Sequence, residues 1–129
     1  MKNVMQLGFA LVLGLFLAGA SFAADEAAIK ANVDGVAEGI NGGKDPAGYT
    51  AGDYDPYVFV MEADGGLIVH PSLQGKSLNT DKFSPVYNAL VKATPGGNWV
   101  EYEWQGAQKK SYVRETASGL IVGSGYTKE

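Results

Sequence analysis

Hydrophobic and polar positions repeat along this chain with two different periods, one helical and one extended. Residues 25–41 and 82–94 carry apolar side chains every three or four positions, which predicts two amphipathic helices. Pro85 is compatible with the first turn of the second helix. The apolar stripe of the first helix consists of Ile29, Val33, Val36 and Ile40.

Five further segments show the alternation or the short apolar run that is typical of β-strands. Their ranges are 57–63, 67–70, 98–104, 109–116 and 120–126. Short turns such as Asp64-Gly65-Gly66 join strands that follow each other directly, so these pairs are predicted to be antiparallel. The last segment is apolar almost throughout, which predicts a central strand that is buried on both faces.

The order helix, two strands, helix, three strands predicts an α+β domain. We expect one curved five-stranded antiparallel sheet, with an N-terminal helix and a helix between strands 2 and 3 that both lie over one face. Residues 24–129 are enough for one such domain and show no internal repeat.

The first 23 residues have the organisation of an export signal. Lys2 supplies the positive start, an apolar run covers residues 7–18, and small residues precede an expected cleavage between Ala23 and Ala24. The apolar run is shorter than the about 20 residues that span a bilayer, so we expect cleavage rather than a retained anchor. These features predict a periplasmic protein with no membrane insertion after cleavage.

Composition narrows the chemistry that such a domain can support. The chain has no cysteine and one histidine, which excludes disulfides, thiolate chemistry and multi-histidine metal sites. Acidic residues number 14 against 10 basic ones without a basic stripe, so no nucleic-acid partner is expected. No nucleophile elbow, metal cluster or paired-carboxylate motif is present. We therefore expect neither enzymatic activity nor a cofactor.

Five segments, taken in order, resemble single Cache domains over about residues 26–127. They are 57–71 (YVFVMEADGGLIVHP), 75–78 (GKSL), 99–104 (WVEYEW), 110–114 (KSYVR) and 119–126 (GLIVGSGY). The resemblance implies a PAS-like fold and an extracytoplasmic sensory module that binds small metabolites, often short carboxylates, in a pocket over the sheet. Such domains usually belong to chemoreceptors or histidine kinases, whereas this sequence is similar to stand-alone exported members. A membrane receptor or a histidine kinase is therefore a candidate partner, with signal transduction or chemotaxis as the process.

A small organic anion requires a few donors on an apolar wall. In the strand 109–116, Lys110 and Arg114 would supply cationic donors, with the Tyr112 hydroxyl between them on the same face. Arginine can hold a carboxylate with two hydrogen bonds, while lysine acts as a point charge. These three residues are predicted to clamp the ligand.

The rest of the predicted pocket lies on the other strands. His70 ends the second strand and is expected to donate to an anion, more strongly in acid as its ring becomes protonated. Tyr57, Phe59 and Tyr102 are expected to form an apolar wall, which Trp99 joins only if its side chain turns inward.

A different arrangement of the same residues is also compatible with the sequence. Lys110 and Arg114 would then lie on a solvated face, paired with glutamates of the neighbouring strand, and Ser111 and Val113 would face the pocket instead. Two further alternatives are open independently of this one: His70 caps the hairpin, and the aromatic residues form ordinary core. The alternative function is a protein-interaction module with a filled pocket and no small ligand.

Overall fold

The computed structural model describes residues 25–128, which form the α+β arrangement expected from the sequence. Two short 3-10 turns, Pro46–Gly48 and Ala51–Asp53, lie between the first helix and the first strand. The predicted export signal lies outside the described residues. In chain order the elements are α1 (Glu26–Asn41), β1 (Phe59–Met61), β2 (Leu67–Val69), α2 (Ser84–Leu90), β3 (Asn98–Trp104), β4 (Ala107–Glu115) and β5 (Ile121–Thr127).

The five strands form one antiparallel sheet in the order β2-β1-β5-β4-β3. The last strand of the chain is therefore central, and its first five residues are buried, as its apolar sequence predicted. Gly123 and Gly125 allow close packing at this position. A Cβ atom at Gly123 would overlap the Phe59 ring, and one at Gly125 would overlap the Ser111 side chain.

The two helices cover opposite faces of the sheet, so the expectation that both lie over one face is wrong. The apolar stripe of α1 packs in a cluster that contains Val122, whereas Val86 and Leu90 of α2 pack in a cluster that contains Ile121. Successive residues of a strand point to opposite faces, so these clusters lie on the two sides of the sheet. The domain therefore has three layers.

Two predicted elements are shorter in the structure than their sequence patterns. The pattern over residues 57–63 gives only Phe59–Met61, and the pairing of this strand with β2 shifts register between Val60 and Met61. The pattern over residues 82–94 gives only Ser84–Leu90. Phe83 precedes this helix without a side-chain capping bond, and Pro85 lies in its first turn.

The first helix closely matches its prediction. The Asp25 side chain accepts a hydrogen bond from the Ala28 N–H, which satisfies one of the unpaired donors of the first turn. After Asn41, Gly43 adopts a φ of 110° that glycine tolerates at a helix end. Among residues 25–128, no helix combines the length and apolar character that crossing a bilayer requires.

Candidate ligand-binding site

A two-residue turn between β3 and β4 decides which side chains share a face of the sheet. Gln105 and Gly106 have φ values of 53° and 85°, the left-handed conformation that tight hairpins favour. With this turn Tyr102 pairs directly with Lys109. Directly paired residues of antiparallel strands point to the same side, so Tyr102, Trp104 and Lys109 face the layer that contains α2.

Lys109 is a buried cation among aromatic rings. Its residue surface is 6% exposed, and its Nζ donates a hydrogen bond of 3.0 Å to Tyr57 Oη. The same Nζ lies 4.7 Å from the Tyr57 ring centroid and 5.8 Å from that of Trp104. None of the ion pairs among residues 25–128 includes Lys109. Burial of an ammonium group without a counter-charge is costly, so this charge is unusual for an ordinary core.

Tyr57 is held in place from both ends. Its backbone carbonyl accepts a hydrogen bond of 2.8 Å from the buried Ser124 hydroxyl of β5. Its ring stands edge-on to that of His70, with 5.3 Å between the centroids. Because Tyr57 Oη accepts from Lys109, its own hydroxyl proton is available to another acceptor.

The two ring nitrogens of His70 have different roles: one accepts backbone hydrogen bonds and the other carries the N–H donor. Its Nδ1 accepts the backbone N–H groups of Ser72 at 3.1 Å and Leu73 at 3.0 Å. A neutral ring that accepts at Nδ1 carries its proton on Nε2, so a donor remains on the other side of the ring. Burial, and next the charge of Lys109, lower the pKa of His70 from 6.5 to about 4. The ring is therefore neutral in mild acid, and the expected charging of His70 does not occur there.

Tyr102 is a further polar residue that lines the same space as Lys109 and His70. It is buried, and its Oη lies 2.8 Å from Ser111 Oγ. Burial raises the pKa of Tyr102 to about 12, so the group stays a neutral phenol. Ser111 therefore faces this layer of the protein, as the second sequence-based arrangement described.

These polar groups border a small, half-open cavity. Its free volume is about 10 Å³, which is room for about one water molecule. The side chains of the protein therefore fill most of the space over this face of the sheet. The apolar part of the lining consists of Phe59, Leu67, Leu78, Val86 and Leu90.

A larger groove of about 280 Å³ lies next to the cavity, and Lys82, Phe83 and Glu103 are part of its lining. Val86 and Trp104 line both spaces. The Phe83 and Trp104 rings are stacked, with 5.6 Å between their centroids and 25° between their planes.

The three residues that were expected to clamp an anion point to the other face of the sheet, toward α1. Lys110 Nζ lies 3.0 Å from Glu26 Oε2, and Arg114 Nη1 lies 3.2 Å from Asp34 Oδ1. The Tyr112 hydroxyl also bonds to Asp34. The predicted clamp is therefore wrong, because its positive charges are already paired with helix carboxylates on the face opposite the cavity.

Arg114 and Tyr112 connect α1 to the loop before β3. Arg114 Nε donates to the Pro95 carbonyl at 2.9 Å, and the Tyr112 hydroxyl donates to the Gly96 carbonyl at 3.2 Å. Arg114 Nη1 also donates to Glu38 Oε2 at 3.1 Å, and this hydrogen bond is the largest cause that raises the pKa of Arg114. These contacts assign both residues a structural role.

Four of the predicted site residues come together around the cavity: Tyr57, Phe59, His70 and Tyr102. Trp99 does not join them. Its ring lies 5.3 Å from the Tyr112 ring, on the face that α1 covers.

The sequence analysis missed two polar or aromatic residues of the site, Lys109 and Trp104. Trp104 lies two residues after Tyr102 in β3, so alternation along that strand already places both on one face, and the signal for Lys109 was present in the turn after β3. A turn of two or of four residues places Lys109, and not Lys110, on the face of Tyr102, because side chains alternate along each strand.

Within residues 25–128, no group of three or more histidine, aspartate or glutamate side chains is arranged to hold a metal ion. Comparison with protein-family models, with curated proteins and with solved structures gives no match to this chain.

Proposed function

We propose that this protein is an exported binding module of the Cache type, and that it holds a small organic anion, a short monocarboxylate, at Lys109. The observation that carries the proposal is the buried Lys109 ammonium, which has an aromatic surrounding and no carboxylate partner among residues 25–128. A bound carboxylate would supply the missing counter-charge.

The polar groups around the cavity favour an acceptor ligand. Lys109 has further N–H donors beyond the one given to Tyr57, and His70 retains its Nε2–H. The Tyr57 hydroxyl proton is also available. Hydrogen bonds between such donors and an ionised carboxylate are about twice as strong as bonds between neutral groups.

The same surroundings limit the ligand to one negative charge and a short chain. Lys109 is the single cationic side chain of the cavity lining, so a second carboxylate would be buried without a partner. The apolar lining suits a short alkyl or hydroxyalkyl chain. Propionate and lactate are therefore suitable probes.

Matched ligands and matched lysine variants test the proposal. Propionate should raise the melting temperature of the wild-type protein, while propionamide, which has nearly the same shape but no charge, should not. Lys109→Met should weaken propionate binding by roughly 10- to 100-fold, as expected for a hydrogen bond to a charged group. Lys110→Met removes a neighbouring charge on the other face and should bind as the wild type does. Equal effects of the two ligands, or equal affinities of the two variants, would contradict the Lys109 site.

We further propose a periplasmic location and a membrane receptor or histidine kinase as the partner. The export signal and the resemblance to Cache domains support this part of the proposal. A route for a response is supported by the contact of Lys110, the neighbour of Lys109 in β4, with Glu26 at the start of α1. A shift of β4 on ligand binding would act directly on this contact.

The small cavity favours a second candidate function, a protein-interaction module whose pocket is filled by its own side chains. A free volume of about 10 Å³ leaves no room for propionate without a rearrangement. This function predicts no stabilisation by any carboxylate, amino acid or amine. It also predicts that Lys109→Met still retains a membrane-protein partner in pull-down experiments.

A further inference from the structure

We propose that Trp104, stacked on Phe83, is a gate between the outer groove and the Lys109 cavity, and that the ligand enters by displacing the Trp104 indole. The ligand-dependent part of this inference rests on the proposed carboxylate site. The gate itself is a property of the protein without ligand.

The two spaces are adjacent but very different in size. The cavity has a free volume of about 10 Å³ and the groove about 280 Å³. Trp104 borders both, and the stacked Phe83 ring lies on its groove side. Rotation of the Trp104 side chain would therefore join the two spaces and give Lys109 access to an opening of ligand size.

Both members of the stack lie at the ends of structural elements. Trp104 is the last residue of β3 and is followed directly by the tight turn at Gln105. Phe83 lies before the first turn of α2, and its backbone is held there, since its N–H donates to Thr80 and its carbonyl accepts from the Tyr87 N–H. Rotation of the two side chains does not require these backbone hydrogen bonds to break, so the stack can open without local unfolding of the backbone.

Lys109 gives a physical reason for the gate to respond to an anion. Without ligand, the Lys109 ammonium lies 5.8 Å from the Trp104 ring, and the ring stabilises the charge through a cation–π contact. A carboxylate forms a shorter, charge-assisted hydrogen bond to the same ammonium and makes the aromatic contact unnecessary. The ligand thus favours the open or rearranged position of the indole.

Fluorescence of the two tryptophans tests the ligand-dependent part, because they lie on opposite faces of the sheet. Trp99→Phe leaves Trp104 as the single reporter, and Trp104→Phe leaves Trp99. Propionate should change the emission of the Trp99→Phe protein and leave that of the Trp104→Phe protein unchanged. Propionate that stabilises the Trp99→Phe protein without any change in its emission would overturn the gate.

NMR relaxation dispersion of the indole N–H groups tests the gate in the wild-type protein without ligand. The Trp104 indole should show exchange on the microsecond-to-millisecond timescale and the Trp99 indole should not. Phe83→Ala should increase the exchange contribution at Trp104 and speed propionate association. A flat profile for Trp104 would overturn the gate whether or not propionate binds. Exchange at Trp104 together with no stabilisation by propionate would instead overturn the carboxylate site and retain the gate.

Discussion

Lys109 and Lys110 are neighbours in β4, yet their ammonium groups lie on opposite faces of the sheet. Lys109 contacts Tyr57 inside the domain, whereas Lys110 pairs with Glu26 of α1 at 3.0 Å. The alternation of side chains along a strand separates them completely. One lysine is therefore available to a ligand and the other is part of the helix–sheet interface.

This relationship predicts opposite effects of Lys109→Met on stability and on binding. Replacement of a buried, uncompensated ammonium by an apolar side chain of similar length should raise the free energy of unfolding by about 1 kcal/mol. Urea denaturation without ligand measures this change. Lys110→Met, the control, removes a partly exposed ion pair and should leave the stability nearly unchanged. A Lys109→Met protein that is less stable than the wild type would show that the ammonium has a structural role.

His70 predicts a pH dependence of stability. The pKa of its ring is about 4 in the folded protein against 6.5 as the ordinary value, so the unfolded chain binds a proton first as the pH falls. This stabilising contribution is complete above pH 6.5 and is lost between about pH 6.5 and pH 4. It amounts to about 2 kcal/mol between pH 7.5 and pH 5.

The variant His70→Gln isolates this contribution because glutamine does not titrate. Its free energy of unfolding, measured by urea denaturation at pH 7.5 and pH 5, should change less than that of the wild type by about this amount. Equal changes in the two proteins would show that His70 is not held in its neutral form.

The buried hydrogen bond between Tyr102 and Ser111 predicts a pattern of non-additive effects. Tyr102→Phe leaves the Ser111 hydroxyl without its partner and should cost about 1–2 kcal/mol. Ser111→Ala should have a similar effect, and the double variant should cost less than the sum of the two. A double-mutant cycle from urea denaturation measures the difference, and strict additivity would contradict the bond.

The different surroundings of Gly35 and Gly39 in α1 predict opposite effects of a substitution by alanine. A Cβ atom at Gly35 meets nothing within 4 Å, so Gly35→Ala should stabilise the protein by about 1 kcal/mol through helix propensity. A Cβ atom at Gly39 would overlap the Tyr49 hydroxyl, which approaches α1 closely there. Gly39→Ala should therefore give no gain or a loss. Thermal unfolding of both variants checks the difference, and equal gains would contradict the packing of Tyr49.

The helical and extended spacing of apolar residues along the sequence was sufficient to predict the two helices, the five strands and the α+β class of the fold. The short link around Gly65 and the apolar run of β5 gave the antiparallel pairs and the central strand, since both depend on local chemistry. The side of the sheet that each helix covers was not predictable in this way. It depends on how the chain crosses the sheet edge, and no local pattern records that path.

The candidate site was predicted in part for a similar reason. The alternation of side chains was recognised in each strand. Which β4 side chains lie on the same face as Tyr102 depends on whether the turn at Gln105 and Gly106 has an even or an odd number of residues. The contact between Lys109 and Tyr57 joins residues 52 positions apart. Such a contact follows only from the complete strand order.

The aromatic cover of Lys109 has a thermodynamic consequence for any guest molecule. The Trp104 ring acts as an internal competitor for the Lys109 ammonium that is always present and never diluted. A guest must replace this ring before it gains its own contact, so its apparent dissociation constant exceeds the intrinsic one by the inverse of the uncovered fraction. Under the proposed function, the site would respond to abundant solutes and not to traces.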